Sequence, residues 1–195
     1  MMTNSEMIIN IIKTRRNIKK FRDTEVSNDI IESLLDSAIW APNHRSTEPW
    51  RFFVIQKSST FRSKLTEHMI KEKESISNDS GKYEEVSEEE INRIKLTVAD
   101  NPVLIFVFSI TDENPEITEE NYAATCCAIQ NLQLVAHSMD LGVGWSTGNM
   151  AKLKNLDQLF NFDQPMKMVG VLTVGYPSMI LEKKRQDLDI VTKWL

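Results

Sequence analysis

Four short stretches hold most of the side chains that could do chemistry. They are the basic pair Arg15 and Arg16 followed by Asn17, the run WAPNHRSTEPW from Trp40 to Trp50, the turn GWSTG from Gly144 to Gly148, and Lys183, Lys184 and Arg185 near the C-terminus. A local cluster of basic groups can bind a phosphate even in an acidic chain. The Trp40–Trp50 run crowds two indoles, two prolines, an imidazole, a guanidinium and a carboxylate between a helical and a strand pattern, and loops between rigid elements are where sites tend to sit. Each stretch also has a plain structural reading. Cations suit a helix C-terminus, and indoles are commonly buried.

Several chemistries have no support in the residue pattern. No P-loop or dinucleotide-type glycine loop occurs, because GVGWSTG follows a helix and precedes only a short strand. His44, His68 and His137 lack the spacing to cysteine or carboxylate that a metal site needs, so no metal is expected. Cys126 and Cys127 are adjacent in an apolar helical stretch and read as buried, reduced thiols rather than nucleophiles or a disulfide framework. His137 reads as packed or surface, and His68 as lying on a solvated face; only His44 has an unusual setting.

The elements that must position these residues follow from hydrophobic periodicity. Met7, Ile8, Ile11 and Ile12 predict a first helix with Ser5 as its cap, and Ser27 caps a second whose stripe is Ile30, Ile31, Leu34, Leu35, Ala38 and Ile39, stopped by Pro42. Arg51–Gln56 reads as a buried strand, followed by a helix from Ser58 or Ser59. Residues 71–89 are polar and charge-rich, which suggests a flap. Ser87 with Glu90 matches a capping box for a helix carrying Ile91, Ile94 and Val98. VLIFVFSI, Val103 to Ile110, is apolar enough for a strand buried on both faces. Thr118 to Asp140 reads as a helix apolar almost all round, placed between the core and a second subunit. A short extended VGW, a short helix from Thr147 to Leu153 and a strand over Lys167–Gly175 complete the pattern.

The chain of 195 residues carries a net charge of -5, which argues against general affinity for nucleic acid or anionic membrane. No apolar run approaches the ~20 residues that span a bilayer, and no leader pattern is seen, so a cytoplasmic, unprocessed protein is expected. Without repeats or linkers, residues 1–195 read as one domain of helices and strands around a small mixed sheet.

Taken together, TRRNIKKF, APNHRSTEPW before a hydrophobic strand, the long buried helix, LGVGWSTG, VGVLTVGYP and the basic tail resemble the FMN-dependent nitroreductase family, especially its short members. The resemblance covers essentially the whole chain. It implies an α+β fold with a central, mostly antiparallel mixed sheet flanked by helices, and a homodimer with FMN at the subunit interface. One of Arg15 and Arg16 would then meet the phosphate and the other the N1–C2 edge of the ring, and Asn17, standing where the family often has serine, would offer an amide donor in place of a hydroxyl. Arg185 would serve as the late phosphate ligand, with Lys183 or Lys184 as competitors. Pro42, Asn43 and His44 would approach the flavin from the partner subunit, with Arg45 beside them, while Trp145, Ser146, Thr147 and Gly148 would lie by the ring's N5 edge. Residues 177–195 would pack on the partner. Glu48 stands where the family commonly has glutamine.

The implied activity is hydride transfer from NADH or NADPH, through the flavin, to nitroaromatics, quinones or similar acceptors. The chemistry would belong to the cofactor, so no general acid or base is assigned. The alternatives are a flavin-binding carrier or sensor without turnover, and an enzyme that consumes its flavin or oxidises one specific metabolite.

Overall fold

The computed structural model describes residues 2–79, 86–180 and 182–195. Its centre is the strand β2, Val103–Ile110, whose side chains alternate between two cores: Val103, Ile105 and Val107 face one, and Leu104, Phe106 and Phe108 the other. A strand covered on both faces must be apolar throughout, as this one is. Around it the sheet runs β1 (Trp50–Gln56), β2, β4 (Met166–Gly175), β3 (Gly142–Ser146), with every pair antiparallel. The only parallel pairing described is an isolated bridge, Asn17 with Val143. The fold is therefore α+β.

Helices α2 (Asn28–Ala38) and α5 (Pro115–Ser138) cover one face; α3 (Phe61–Asp79), α4 (Glu88–Ala99) and the short α6 (Leu156–Phe160) cover the other. Ser27 caps α2 as expected, through its side chain and the N–H of Ile30, and Ile31, Leu34 and Ala38 are buried. On the second face Phe160 packs against Phe53 and Phe106, with ring centres 4.8 and 4.9 Å apart. A five-residue helix has too little periodicity to show in a sequence, and α6 was not expected.

Several expectations need correction. Helix α1 (Asn4–Thr14) is capped by Thr3, not Ser5: the Thr3 hydroxyl accepts from Glu6 N–H while the Glu6 carboxylate accepts from Thr3 N–H. None of its residues is buried. Strand β1 is an edge strand with only Trp50 and Ile55 buried, since it pairs with β2 alone. Helix α5 starts at Pro115 with Asn114 as cap, and Thr118 instead braces the preceding turn through Asp112.

The expected flap over 71–89 is helical at 71–79 in α3 and from Glu88 in α4, with 86 and 87 irregular before α4; residues 80–85 lie outside the described residues. Ser87 makes its half of the cap, but Glu90 pairs with Lys73 and Arg93 instead of closing the box. The last element, α7 (Leu188–Val191), belongs to a tail whose apolar side chains are exposed. No described helix is long and apolar enough to cross a membrane.

Candidate functional site

Helix α1 ends at Arg15, which leaves the helical region and carries the chain past the edge of β3. There Ile18 N–H donates to Val143 O at 3.1 Å, and Asn17 Oδ1 accepts the backbone N–H of Trp145 at 2.7 Å. These bonds, with the bridge from Asn17 to Val143, lay the first basic motif along β3. Two glycines permit the approach. A Cβ on Gly144 would lie 2.3 Å from the Ile18 carbonyl oxygen, and one on Gly170 would lie 2.3 Å from the Trp145 indole nitrogen.

The sequence groups Arg15–Asn17 and Trp145–Gly148 are thereby neighbours, 128 residues apart in the chain at their closest hydrogen bond. Trp145 is half-buried, its indole N–H donating to Val169 O, while Ser146 and Thr147 are exposed and Gly148 N–H is held by Ser146 Oγ.

Arg15 and Arg16 are half-buried, and neither they nor Arg185 forms an ion pair among the described residues. Burial first, and then the like charges of Arg185 and Arg16, push the Arg15 guanidinium below its ordinary value. That places Arg185 close enough to act on Arg15, across 170 residues of chain. Arg16 donates to the carbonyls of Lys13 and Arg15, so part of its guanidinium serves the end of α1. A small recess beside the pair is lined by Thr14, Arg15, Arg16, Gln133, His137 and Ile180 among others.

Gln133 and His137 are functional candidates that sequence reasoning missed. Their spacing of four on α5 puts them on one face, but only the fold shows that this face meets the arginines. His137 Nε2 lies 2.8 Å from Thr14 Oγ1.

The Trp40–Trp50 loop is elsewhere. His44 Nδ1 lies 2.7 Å from Glu120 Oε1, Arg45 reaches the other oxygen, and Thr47 donates to Asn121, near the start of α5. The hydrogen bond to His44 and, after some opposition from desolvation, that to Arg45 hold the Glu120 carboxyl below the usual range. Asn43 Oδ1 accepts Glu48 N–H, and Arg45, Ser46 and Glu48 all adopt positive φ, so the loop is held in a costly conformation. Trp50 is buried, but Trp40 is 80% exposed, against the expectation of indole burial. Glu120 and Gln133 are separated by about 20 Å along the helix axis. His44 therefore does not join Arg15 within one chain.

A larger cavity of about 720 Å³ opens between α3, α4 and the turn after β3, reaching Ser146, Met150 and Leu153. The cysteines divide: Cys126 is half-buried, with burial pushing its thiol up, whereas Cys127 is exposed, contrary to expectation. No three metal-ligating side chains gather among the described residues.

The model of the nitroreductase family matches residues 12–176, from the end of α1 through β4. The chain belongs to the nitroreductase family. The match takes in Arg15–Asn17, the Trp40–Trp50 loop and Trp145–Gly148, and leaves Arg185 and the tail beyond it. The Bacillus subtilis protein YfhC, whose name assigns it provisionally to the NAD(P)H nitroreductases, is 31% identical over 90% of this nitroreductase-family chain and 87% of its own. A nitroreductase-like family protein from Bacillus cereus superposes with a TM-score of 0.81 at 29% identity, over 100% of this chain and 99% of that one. The FMN-dependent nitroreductase NfnB of Mycobacterium smegmatis, solved with NADPH, gives a TM-score of 0.75 at 14% identity over 99% and 100% of the two chains, a likeness of fold.

Proposed function

We propose that this chain, folded as one domain, is an FMN-dependent NAD(P)H oxidoreductase that reduces electron-poor acceptors such as nitroaromatics or quinones. The observation that carries the reading is the convergence of Arg15, Arg16 and Arg185 without a carboxylate to neutralise them among the described residues. Uncompensated cations at a half-buried site repel one another, and a dianionic phosphate removes that cost. The residues present therefore fit the FMN phosphate.

Bound FMN supplies a ring that takes hydride from a nicotinamide and passes electrons to an acceptor. The chain binds and orients. Arg15 and Arg185 hold the phosphate, with Arg16 adding charge. Asn17 spends its carbonyl on Trp145 N–H, which fixes the amide and leaves its NH₂ group for the ribityl hydroxyls. The segment Trp145–Gly148 offers backbone groups to the ring, and the adjoining cavity at Ser146 has room for an acceptor.

The site is completed by a second copy of the chain. His44 is anchored too far along α5 to reach the arginines of its own chain, so in this reading Pro42, Asn43 and His44 of the partner subunit approach the flavin. Met7, Ile8, Ile9 and Ile12 on α1, and Ile190, Val191, Trp194 and Leu195 in the tail, are exposed in the single chain and suit burial in a dimer. Titration of the purified protein with FMN, followed by quenching of flavin fluorescence, tests the binding half of the proposal. One flavin per chain and a dimer in sedimentation are expected; a monomer that binds no flavin would overturn it.

A further inference from the structure

The recess beside the arginines is lined by two side chains of α5 that the proposed reading leaves without a task. Gln133 is 4% exposed, faces the recess, and its amide makes no hydrogen bond to the described residues. No buried side-chain nitrogen or oxygen among the described residues lacks a hydrogen-bond partner, so the Gln133 amide keeps its polar end open to the recess, where it can donate to a group seated there. One turn later, His137 contacts Thr14. The Thr14 hydroxyl also lies 2.7 Å from Asn10 O, and its single proton goes to that carbonyl. Nε2 of His137 therefore carries the hydrogen of the His137–Thr14 bond.

The charges facing His137 are Arg15 and Arg16 from the end of α1 and Asp140 from the turn after α5, with Arg185 acting on Arg15 in turn. Burial, then Arg15 and to a smaller extent Arg16, push the imidazole below its ordinary value, while Asp140 and the negative end of α5 oppose them. The recess itself has a volume of about 20 Å³, room for a single oxygen atom.

We propose that this recess seats one terminal oxygen of the flavin phosphate, with the Gln133 amide donating to it and His137 binding it as the imidazolium, so that FMN binding takes up a proton. The inference rests on the FMN reading above and deepens it. Burial and then the neighbouring guanidiniums lower the pKa of the imidazole; a dianion seated beside it favours the charged ring. The bound site then has the higher pKa. His137's contribution to affinity is fully present below the empty-site pKa and is lost as pH rises through the bound-site pKa. The second ionisation of the phosphate, near pH 6, has the opposite sign, so the effect must be read as a difference between proteins at one pH.

The test compares wild type, His137→Gln and Gln133→Leu near neutral pH. FMN affinity is read by fluorescence, and proton uptake by calorimetry in two buffers of different ionisation heat. Riboflavin, which lacks the phosphate, is the control for folding and for the rest of the site. Both substitutions are expected to weaken FMN about tenfold, leave riboflavin within about twofold, and in His137→Gln reduce the proton uptake. Gln133→Glu, nearly isosteric, places a carboxylate in the recess and should weaken FMN more than Gln133→Leu. Wild-type FMN affinity and wild-type proton uptake in the variants would overturn the inference and leave the flavin reading intact. A wild-type chain that takes up no FMN would overturn both.

Discussion

Arg15 and Arg16 are neighbours in sequence but have different tasks. Arg16 donates to two carbonyls at the end of α1, whereas the Arg15 guanidinium makes no hydrogen bond among the described residues and lies under the influence of Arg185. Replacing Arg15 with alanine should therefore cost the larger share of phosphate binding. A lost charge-assisted contact of roughly 1.5 to 3 kcal/mol corresponds to about tenfold to a hundredfold in FMN affinity, with a smaller loss for Arg16→Ala, measured by fluorescence titration. Equal, undiminished affinity in both variants would remove the phosphate assignment. At this scale the basic pair was legible because residue type and adjacency are sequence properties. Arg185 was anticipated only through the family resemblance, and the approach of Gln133 and His137 to that pair was not legible, since it depends on how the end of α5 packs against α1. The exposure of Trp40 was misjudged because indole burial is a property of surroundings that one chain does not supply.

Elements carry the positioning. The approach of the Arg15–Ile18 segment to β3 requires a missing side chain at Gly144, so Gly144→Ala forces a Cβ against the Ile18 carbonyl. A loss of about 2 kcal/mol in stability by thermal or denaturant unfolding is expected, with weakened FMN binding because Asn17 and Trp145 move apart. Unchanged stability would mean that the approach is looser than described.

On the other face, the buried guanidinium of Arg62 donates to the carbonyls of Ile55, Gln56, Val98 and Pro102, tying the ends of β1 and α4 together. Burial pushes that guanidinium below its ordinary value, and no carboxylate compensates among the described residues. Arg62→Met leaves four carbonyls without this donor and should destabilise by about 3 kcal/mol, with FMN affinity unaffected in the folded fraction. Strands β2 and β4 were readable from apolar runs, and Ser27 from its capping position. The helical 71–79 segment was not, because its helix formers, lysine and glutamate, also suit a solvated loop.

For the whole molecule, the exposed apolar side chains of the tail carry the expectation of a dimer. Trp194 is 89% exposed and Leu195 fully so, an arrangement that water does not favour. A dimer of twice the 22.5 kDa chain mass is expected in sedimentation, with weaker association and weaker FMN binding once residues 188–195 are removed. A truncated protein that dimerises and binds FMN like the full chain would assign the tail another role. The sequence showed an apolar tail in need of cover, but its length and composition carry no register against a second copy.

Redox turnover by a bound flavin is read in the absorption spectrum of the purified, FMN-loaded protein during anaerobic addition of NADH or NADPH. The oxidised flavin bands are expected to bleach with at least one nucleotide and to return when a quinone or nitroaromatic is added. A bound flavin that stays oxidised with both nucleotides would contradict it and point instead to a flavin-binding protein without turnover.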